Sequence, residues 1–165
     1  MGLHEDLAQI EKQERELAFA RFDAGMAWEL GAGLQVLAAE RRLPVVIDVR
    51  RFGQPLFYTA LEGTTPDNVE WVRRKSNVVA RFHRSSYAIG LKEKIKGETL
   101  LESQGLPTAD YATHGGSFPI TVAGAGAIGS VTVSGLPQRA DHELVIEALC
   151  DLLGRNYEEL RLAKE

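Results

Sequence analysis

Apolar residues recur at helical spacing in two stretches near the start of the chain. In residues 3–22 they form one narrow stripe among charged side chains, which predicts an amphipathic helix with the stripe Leu3, Leu7, Ile10 and Leu17. Asp23 can cap a second helix of the same period, which ends near Arg41 and before Pro44. Both helices need another surface to pack against.

Two further helices are predicted in the middle and at the end of the chain. Pro66 suits a first helical turn, and the pattern from there predicts a long helix to about Ser85. The polar residues 91–107 predict a surface connection with one helical turn. Asp141 can cap a last helix, whose apolar face is Leu144, Val145, Ala148, Leu149, Leu152 and Leu153.

Five short runs rich in β-branched and aromatic residues lie between these helices. Residues 45–51 and 55–61 flank a short turn at Gly53 and predict a β-hairpin. Three more strands are predicted near residues 110–114, 118–123 and 128–134. Because strands and helices do not alternate regularly, the order predicts an α+β domain whose mainly antiparallel sheet is covered by helices.

Glycines mark the region between the predicted strands. The sequence His114-Gly-Gly116 is typical of a tight turn between strands, and it could also form the wall of a site, because glycine allows close approach to the main chain. We favour the turn. The later Gly124-Ala-Gly-Ala-Ile-Gly129 superficially resembles a dinucleotide fingerprint, but it leads into a predicted strand where that motif needs a helix.

Length and composition narrow the class of protein. The chain has 165 residues, 44% of them hydrophobic, which predicts one domain over residues 1–165. It contains no run of apolar residues long enough for a membrane span, and the single cysteine, Cys150, suits a reducing compartment, so we expect a cytoplasmic protein. The net charge of −4 argues against a nucleic-acid or anionic-membrane partner.

Lys75 falls within the apolar arc of the long helix, where an unpaired ammonium would be costly. It could pair with a structural carboxylate such as Asp48, or it could anchor an anionic ligand. The opposite side of the helix carries a polar stripe of Arg74, Asn77, Arg81 and Arg84. This stripe is predicted to be a solvated or subunit-contact face, or to hold the carboxylates of a ligand.

The four histidines are dispersed, and none has a spacing typical of a zinc site, so no metal site is predicted. His114 beside its glycines is the best candidate for a ligand-binding role, with a hydrogen-bonded structural role as the alternative. His142 is expected to serve local electrostatics and Asp141 to act as a helix cap. No arrangement of nucleophile and base identifies catalytic residues.

Motifs along nearly the whole chain resemble the haem-degrading-domain (HbpS/GlcG-like) superfamily, and more closely its uncharacterised cytosolic branch. They are Phe22-Asp23, Glu29-Leu-Gly31, Val46-Ile-Asp48, Glu70-Trp-Val-Arg-Arg-Lys-Ser-Asn77, Phe82-His-Arg-Ser-Ser86, Gly115-Gly-Ser-Phe-Pro-Ile120 and Gly129-Ser-Val-Thr-Val-Ser-Gly135. The resemblance implies a profilin-like, five-stranded sheet flanked by helices, assembly into homo-oligomers, and haem binding or degradation in some relatives. If haem is a ligand, its iron needs only one axial histidine, and His114 is the best candidate.

Three functional hypotheses follow from the residues and the resemblance. The first is a cytosolic homo-oligomeric binding protein for haem or another small anionic ligand, held near Lys75, Arg81 and His114. The second is a non-catalytic assembly or adaptor protein that uses its helices as subunit contacts. The third is an enzyme, either a haem-degrading oxidoreductase or one that acts on a small acid.

Overall fold

The computed structural model describes residues 2–165. Its helices are α1 (Leu3–Glu16), α2 (Ala24–Glu40), α3 (Pro66–Phe82), α4 (Ser86–Lys96), α5 (Leu100–Gln104), α6 (Gln138–Leu153) and α7 (Tyr157–Leu160). Its strands are β1 (Ala18–Phe19), β2 (Val46–Arg51), β3 (Gln54–Ala60), β4 (Ser117–Val122) and β5 (Gly126–Ser134). No helix in these residues is both long and apolar enough to cross a membrane.

The five strands form one sheet in the order β1-β4-β5-β2-β3. The pairs β2–β3, β2–β5 and β4–β5 are antiparallel, and only the two-residue β1 pairs in parallel, with β4. This confirms the predicted α+β class and the mainly antiparallel, five-stranded sheet. It also confirms the hairpin around Gly53 and the expectation that the glycine stretch from Gly124 leads into a strand, which is β5, and not into a helix.

The two faces of the sheet differ in polarity, because successive side chains of a strand point to opposite faces. Phe118, Ile120, Val131 and Val133 belong to the apolar core that includes buried residues of α2 and α6. The alternate positions of the same strands are polar and buried, as at Ser117, Ser130 and Thr132, and α3 packs on these strands. Both faces of the sheet are therefore buried in these strands, one with apolar side chains and the other with polar side chains.

The first helix is shorter than predicted. It ends at Glu16, and the chain then turns into β1, where Phe19 is fully buried beside β4. Leu17 belongs to the predicted apolar stripe, whereas Phe19, two residues later, would lie about 200° further around a helix, on the opposite face. Both residues are buried in the apolar core, and Phe19 also pairs with Val122 of β4. The departure of Phe19 from the stripe marks a helix end that the prediction placed too late.

The long helix is also shorter than predicted, and the segment after it is more helical. It ends at Phe82, because His83 has a φ of 55° in the left-handed region, where a helix stops. The side chain of Ser85 then accepts a hydrogen bond from the backbone of Ala88 and begins α4. The predicted polar connection therefore contains the end of α4 and all of α5.

Residues 110–114 do not form the predicted strand. Arg73 and Asn77 of α3 donate hydrogen bonds to the backbone carbonyls of Ala109 and Asp110, so this segment lies against the helix rather than pairing with a strand. As a consequence, the glycines at 115 and 116 do not connect two strands, and the turn interpretation was wrong.

Candidate functional site

Lys75 and Asp141 form a buried ion pair at the end of β5. The side chain of Lys75 is 3% exposed, and its Nζ lies 3.0 Å from Asp141 Oδ2. The same nitrogen donates to the backbone carbonyl of Val133 at 3.2 Å. The prediction that Lys75 is buried and paired is confirmed, but the suggested partner, Asp48, was wrong, because Asp48 binds Arg50.

Asp141 does not have the predicted role of N-cap. The last helix begins three residues earlier, at Gln138, and the Asp141 carboxylate accepts hydrogen bonds from the backbone N–H groups of Gly135 and Leu136, before the helix. It therefore fixes the turn from β5 into α6. Its position in the first helical turn brings it to Lys75.

Burial acts on both members of the pair. It lowers the pKa of Lys75, an effect that the charge of Asp141 only partly opposes. It raises the pKa of Asp141, against the opposing effects of Lys75 and the two backbone donors. Removal from water disfavours each charged form, so the two pKa values move toward each other. The ion pair of Lys75 and Asp141 carries no net charge, so Lys75 adds no net positive charge to the site.

Gly115 and Gly116 pack closely against this pair and against α4. A Cβ atom at Gly115 would lie 2.4 Å from the Tyr87 ring, and one at Gly116 would lie 2.7 Å from Lys75 Nζ and 2.3 Å from the carbonyl oxygen of Val133. Gly116 also has a φ of +135°, which other residues rarely adopt. The glycine pair therefore allows close packing of the main chain, but neither glycine lines a cavity, and a role as the wall of a site stays a prediction.

His114 lies exposed just before these glycines, with its ring edge-on to Trp71 at a centroid distance of 5.0 Å. Partial burial lowers its pKa, and the nearby charges of Lys75, Arg74 and Lys94 lower it further. The neutral imidazole is therefore favoured at neutral pH. This is the form that can ligate a metal, including the iron of haem.

Two cavities meet at His114, and both also include Gln138. The smaller one, which we call the Lys75 pocket, has a volume of about 270 Å³ and is lined by Asp67, Asn68, Trp71, Lys75, His114, Ser134, Gly135, Leu136, Gln138 and Asp141. The larger one, which we call the α4–α5 cleft, has a volume of about 450 Å³; its walls include Arg74, Tyr87, Leu91, Lys94, Leu101, Leu106, Tyr111 and His114.

The predicted site residues are only partly brought together. Lys75 and His114 line the same pocket, whereas Arg81 is exposed and lines neither cavity. The rest of the predicted polar stripe is engaged within the chain: Arg74 and Asn77 hold residues 108 and 110, and Arg84 pairs with Glu14. A ligand contact of Arg81 stays a prediction.

Arg74 and Lys94 bring positive charge to the α4–α5 cleft. Arg74 donates to the carbonyl of Thr108 at 2.9 Å and lies 4.6 Å from the centre of the Trp71 ring. Lys94 is exposed on α4, and Glu93 beside it accepts a hydrogen bond from the backbone of Leu100. Sequence reasoning placed Lys94 in a surface connection and missed its role, because the extent of α4 was not predicted.

His142 is not a local electrostatic group. It is fully buried, its Nε2 lies 2.8 Å from Gln13 Oε1, and burial lowers its pKa to about 3, so the ring is neutral. Within residues 2–165 no three histidine, cysteine or acidic side chains are grouped so that they could hold a metal ion.

The chain is similar to several known proteins. Residues 22–150 match the family model "Haem degrading protein HbpS-like". The UPF0303 protein of Paraburkholderia xenovorans is 60% identical over 164 residues, which cover 99% of both chains. The UPF0303 protein of Acidobacterium capsulatum is 62% identical over 162 residues, or 98% of both chains.

Solved structures share the fold. The crystal structure of Ybr137w protein has a TM-score of 0.85 and 27% identity, over 93% of this chain and 92% of that one. The PduOC:Heme complex has a TM-score of 0.67 and 15% identity, over 78% and 93% of the two chains. At such low identity the second likeness concerns the fold alone.

Proposed function

The chain belongs to the HbpS-like haem-degrading family, and from this premise we propose that it is a cytoplasmic, homo-oligomeric binding protein for haem or another small anionic ligand, which it accepts in the α4–α5 cleft. The volume of the cleft lies within the range of small-ligand pockets, roughly 300–1,000 Å³. One solved relative of the fold is a haem complex, which makes haem the first ligand to test.

His114 is the observation that carries the proposal. Its side chain lies at the mouth of an open cleft, its ring is held against Trp71, and its surroundings favour the neutral imidazole. The residues present therefore fit haem: imidazole would supply the axial ligand, and haem in turn would supply redox-active iron.

The remaining walls suit the rest of such a ligand. Leu91, Leu106 and Tyr87 provide apolar and aromatic surface, and Leu101 is 54% exposed at the rim. Arg74 and Lys94 line the cleft together with Glu93 and Glu98, so its lining carries two charges of each sign, and the two cations would complement carboxylates. Lys75 supports the proposal less directly, because Asp141 already neutralises its charge.

Haemin titration of the purified protein, followed in the Soret region, tests the proposal. We expect stoichiometric binding to the parent protein and a strongly altered Soret spectrum for His114→Ala, because the axial ligand is lost. Lys94→Ala should keep the parent spectrum and weaken affinity about two- to fivefold, which is the usual size of an exposed charge contact. The weakening should diminish at high salt.

Arg81→Ala is the matched control, since Arg81 is an exposed cation of α3 outside the cleft. If Arg81→Ala weakens binding and Lys94→Ala does not, the carboxylates bind at Arg81, as the sequence suggests, and not in the cleft. Non-stoichiometric binding that both His114→Ala and Lys94→Ala leave unchanged would refute a haem site. Consumption of bound haem with a reductant would instead support the oxidoreductase.

One observation favours the second candidate, an assembly or adaptor protein. Trp28 and Val36 of α2 are 63% and 50% exposed, and Tyr58 on the edge strand β3 is 46% exposed. Large exposed apolar side chains near an edge strand are typical of contact surfaces. Haemin binding without a defined stoichiometry would favour an assembly or adaptor protein over a haem-binding protein.

A further inference from the structure

We infer that Lys75 is a reactive amine that condenses with a small, uncharged aldehyde or ketone in the Lys75 pocket, and that Asp141 relays protons in this step. The inference goes beyond haem binding in the α4–α5 cleft, because it concerns a different cavity and covalent chemistry. It rests on the arrangement of three groups: a buried amine, a carboxylate in contact with it, and a cavity that both of them line.

One position of the Lys75 nitrogen has no hydrogen-bond partner among the described residues. A tetrahedral nitrogen has three positions besides its bond to carbon. Two of them are directed to Asp141 Oδ2 and to the carbonyl oxygen of Val133. In residues 2–165 no third acceptor is bonded to this nitrogen. In the neutral amine the third position holds the lone pair, which is the nucleophile.

Gly116 preserves the space around that nitrogen. Its missing Cβ would lie 2.7 Å from Nζ, so any other residue here would press on the amine. Gly116 has a φ of +135°, which glycine adopts without strain, and the Gly115 N–H donates a hydrogen bond to Gln138 Oε1, which holds the backbone here. Burial favours the neutral amine, and desolvated lysines are those that form Schiff bases in proteins.

The charges in the pocket indicate the class of partner. Asp67 and Asp141 line it, Lys75 contributes the only ammonium among its lining residues, and His114 is neutral. Once Lys75 has lost its proton to act as nucleophile, the pocket is negatively charged. It should therefore prefer an uncharged carbonyl compound to a 2-oxo acid, and its volume of about 270 Å³ suits a small one.

The step balances without a further reactant. The lone pair of Nζ forms a bond to the carbonyl carbon, and the π electrons of the carbonyl move to its oxygen. Asp141 accepts one N–H proton and transfers it to that oxygen, which gives a carbinolamine. The second N–H proton follows the same route, the C–O bond breaks, and water leaves an imine on Lys75. Two protons and one oxygen depart, and no oxidant is needed.

Reductive trapping tests the inference. The protein is incubated with propanal and sodium cyanoborohydride at pH 7, which reduces any imine to a secondary amine, and the labelled lysines are identified by peptide mass spectrometry. An ordinary lysine is about 1 part in 2,500 neutral at this pH, and each unit of lower pKa raises that fraction tenfold. Because burial lowers the pKa of Lys75, we expect Lys75 to be labelled faster than Lys12, Lys92, Lys94, Lys96 and Lys164.

These five other lysines are internal controls in the unmodified protein, so the test does not depend on the folding of a variant. Pyruvate should label Lys75 more slowly than propanal. Labelling of Lys75 no faster than of the surface lysines would overturn the inference. Equal labelling by pyruvate would overturn the assignment of an uncharged substrate.

Discussion

Replacement of Lys75 by methionine should destabilise the protein by about 3–5 kcal/mol, the usual cost of breaking a buried ion pair by removing one partner. Methionine fills much of the volume, so the cost comes from Asp141, which is left 1% exposed without a counter-charge. Asp141 keeps its hydrogen bonds from the backbone of Leu136 at 2.9 Å and Gly135 at 3.3 Å, which should hold the loss near the lower end.

Urea unfolding followed by circular dichroism measures this change, at equal protein concentration for all variants because assembly would alter apparent stability. Lys75→Met/Asp141→Asn should recover at least about 1.5 kcal/mol, because asparagine removes the stranded charge and keeps an acceptor for the backbone donors. Lys164→Met, at an exposed position, should change stability by less than about 0.5 kcal/mol.

The pH dependence gives a second check on the same variant. Without Lys75, burial should raise the pKa of Asp141 further, so the folded state holds a proton that the unfolded state has released. The contribution of Asp141 to the stability of Lys75→Met should therefore be greatest below about pH 4, the pKa of an unfolded aspartate, and should be lost as the pH rises toward the folded pKa. A loss below about 1 kcal/mol at pH 7 would refute the view that Asp141 depends on Lys75.

Two further predictions concern the core and the assembly. The pKa of buried His142 is about 3, so on acidification the unfolded chain binds a proton before the folded chain does, and the free energy of unfolding should fall as the pH drops from about 6.5 toward 3. His142→Gln should reduce the slope of this fall between about pH 6 and 5. Urea unfolding at each pH measures both slopes, and equal slopes for the parent and the variant would contradict the prediction. Trp28 and Val36 leave apolar surface exposed, so light scattering at micromolar protein concentration should give a mass of at least two chains. A monomeric mass would contradict homo-oligomerisation.

The sequence predicts most of the helices, the hairpin around Gly53 and the strands β4 and β5, because their patterns are long or are bounded by recognisable turns. Asp23 caps α2 as expected, and Pro66 begins α3. The predictions are wrong where contacts between distant parts of the chain decide the structure. Phe19 is predicted within a helix, although it lies off the apolar stripe of that helix, and it pairs as a strand. Residues 110–114 have strand composition but bind Arg73 and Asn77. The partners in these contacts have no local signal in the sequence.

The candidate site is less predictable, for a physical reason that Lys75 illustrates. Helical periodicity shows that the ammonium must be buried and must therefore have a partner, but it cannot say which of several distant carboxylates is the partner. Asp48 is equally buried, yet Arg50 lies two residues away on the same strand and binds it. Asp141 is left for Lys75 because α6 begins three residues before the predicted cap.

The glycine pair explains why the two cavities lie side by side. Gly115 lets the chain pass against Tyr87 of the α4–α5 cleft, and Gly116 lets it pass against Lys75 of the neighbouring pocket. His114 precedes both glycines and consequently borders both cavities. The two chemistries proposed here therefore separate by residue: loss of His114 should affect haem coordination, and loss of Lys75 should affect imine formation. A protein that binds haem but is not labelled at Lys75, or the reverse, would retain one proposal and refute the other.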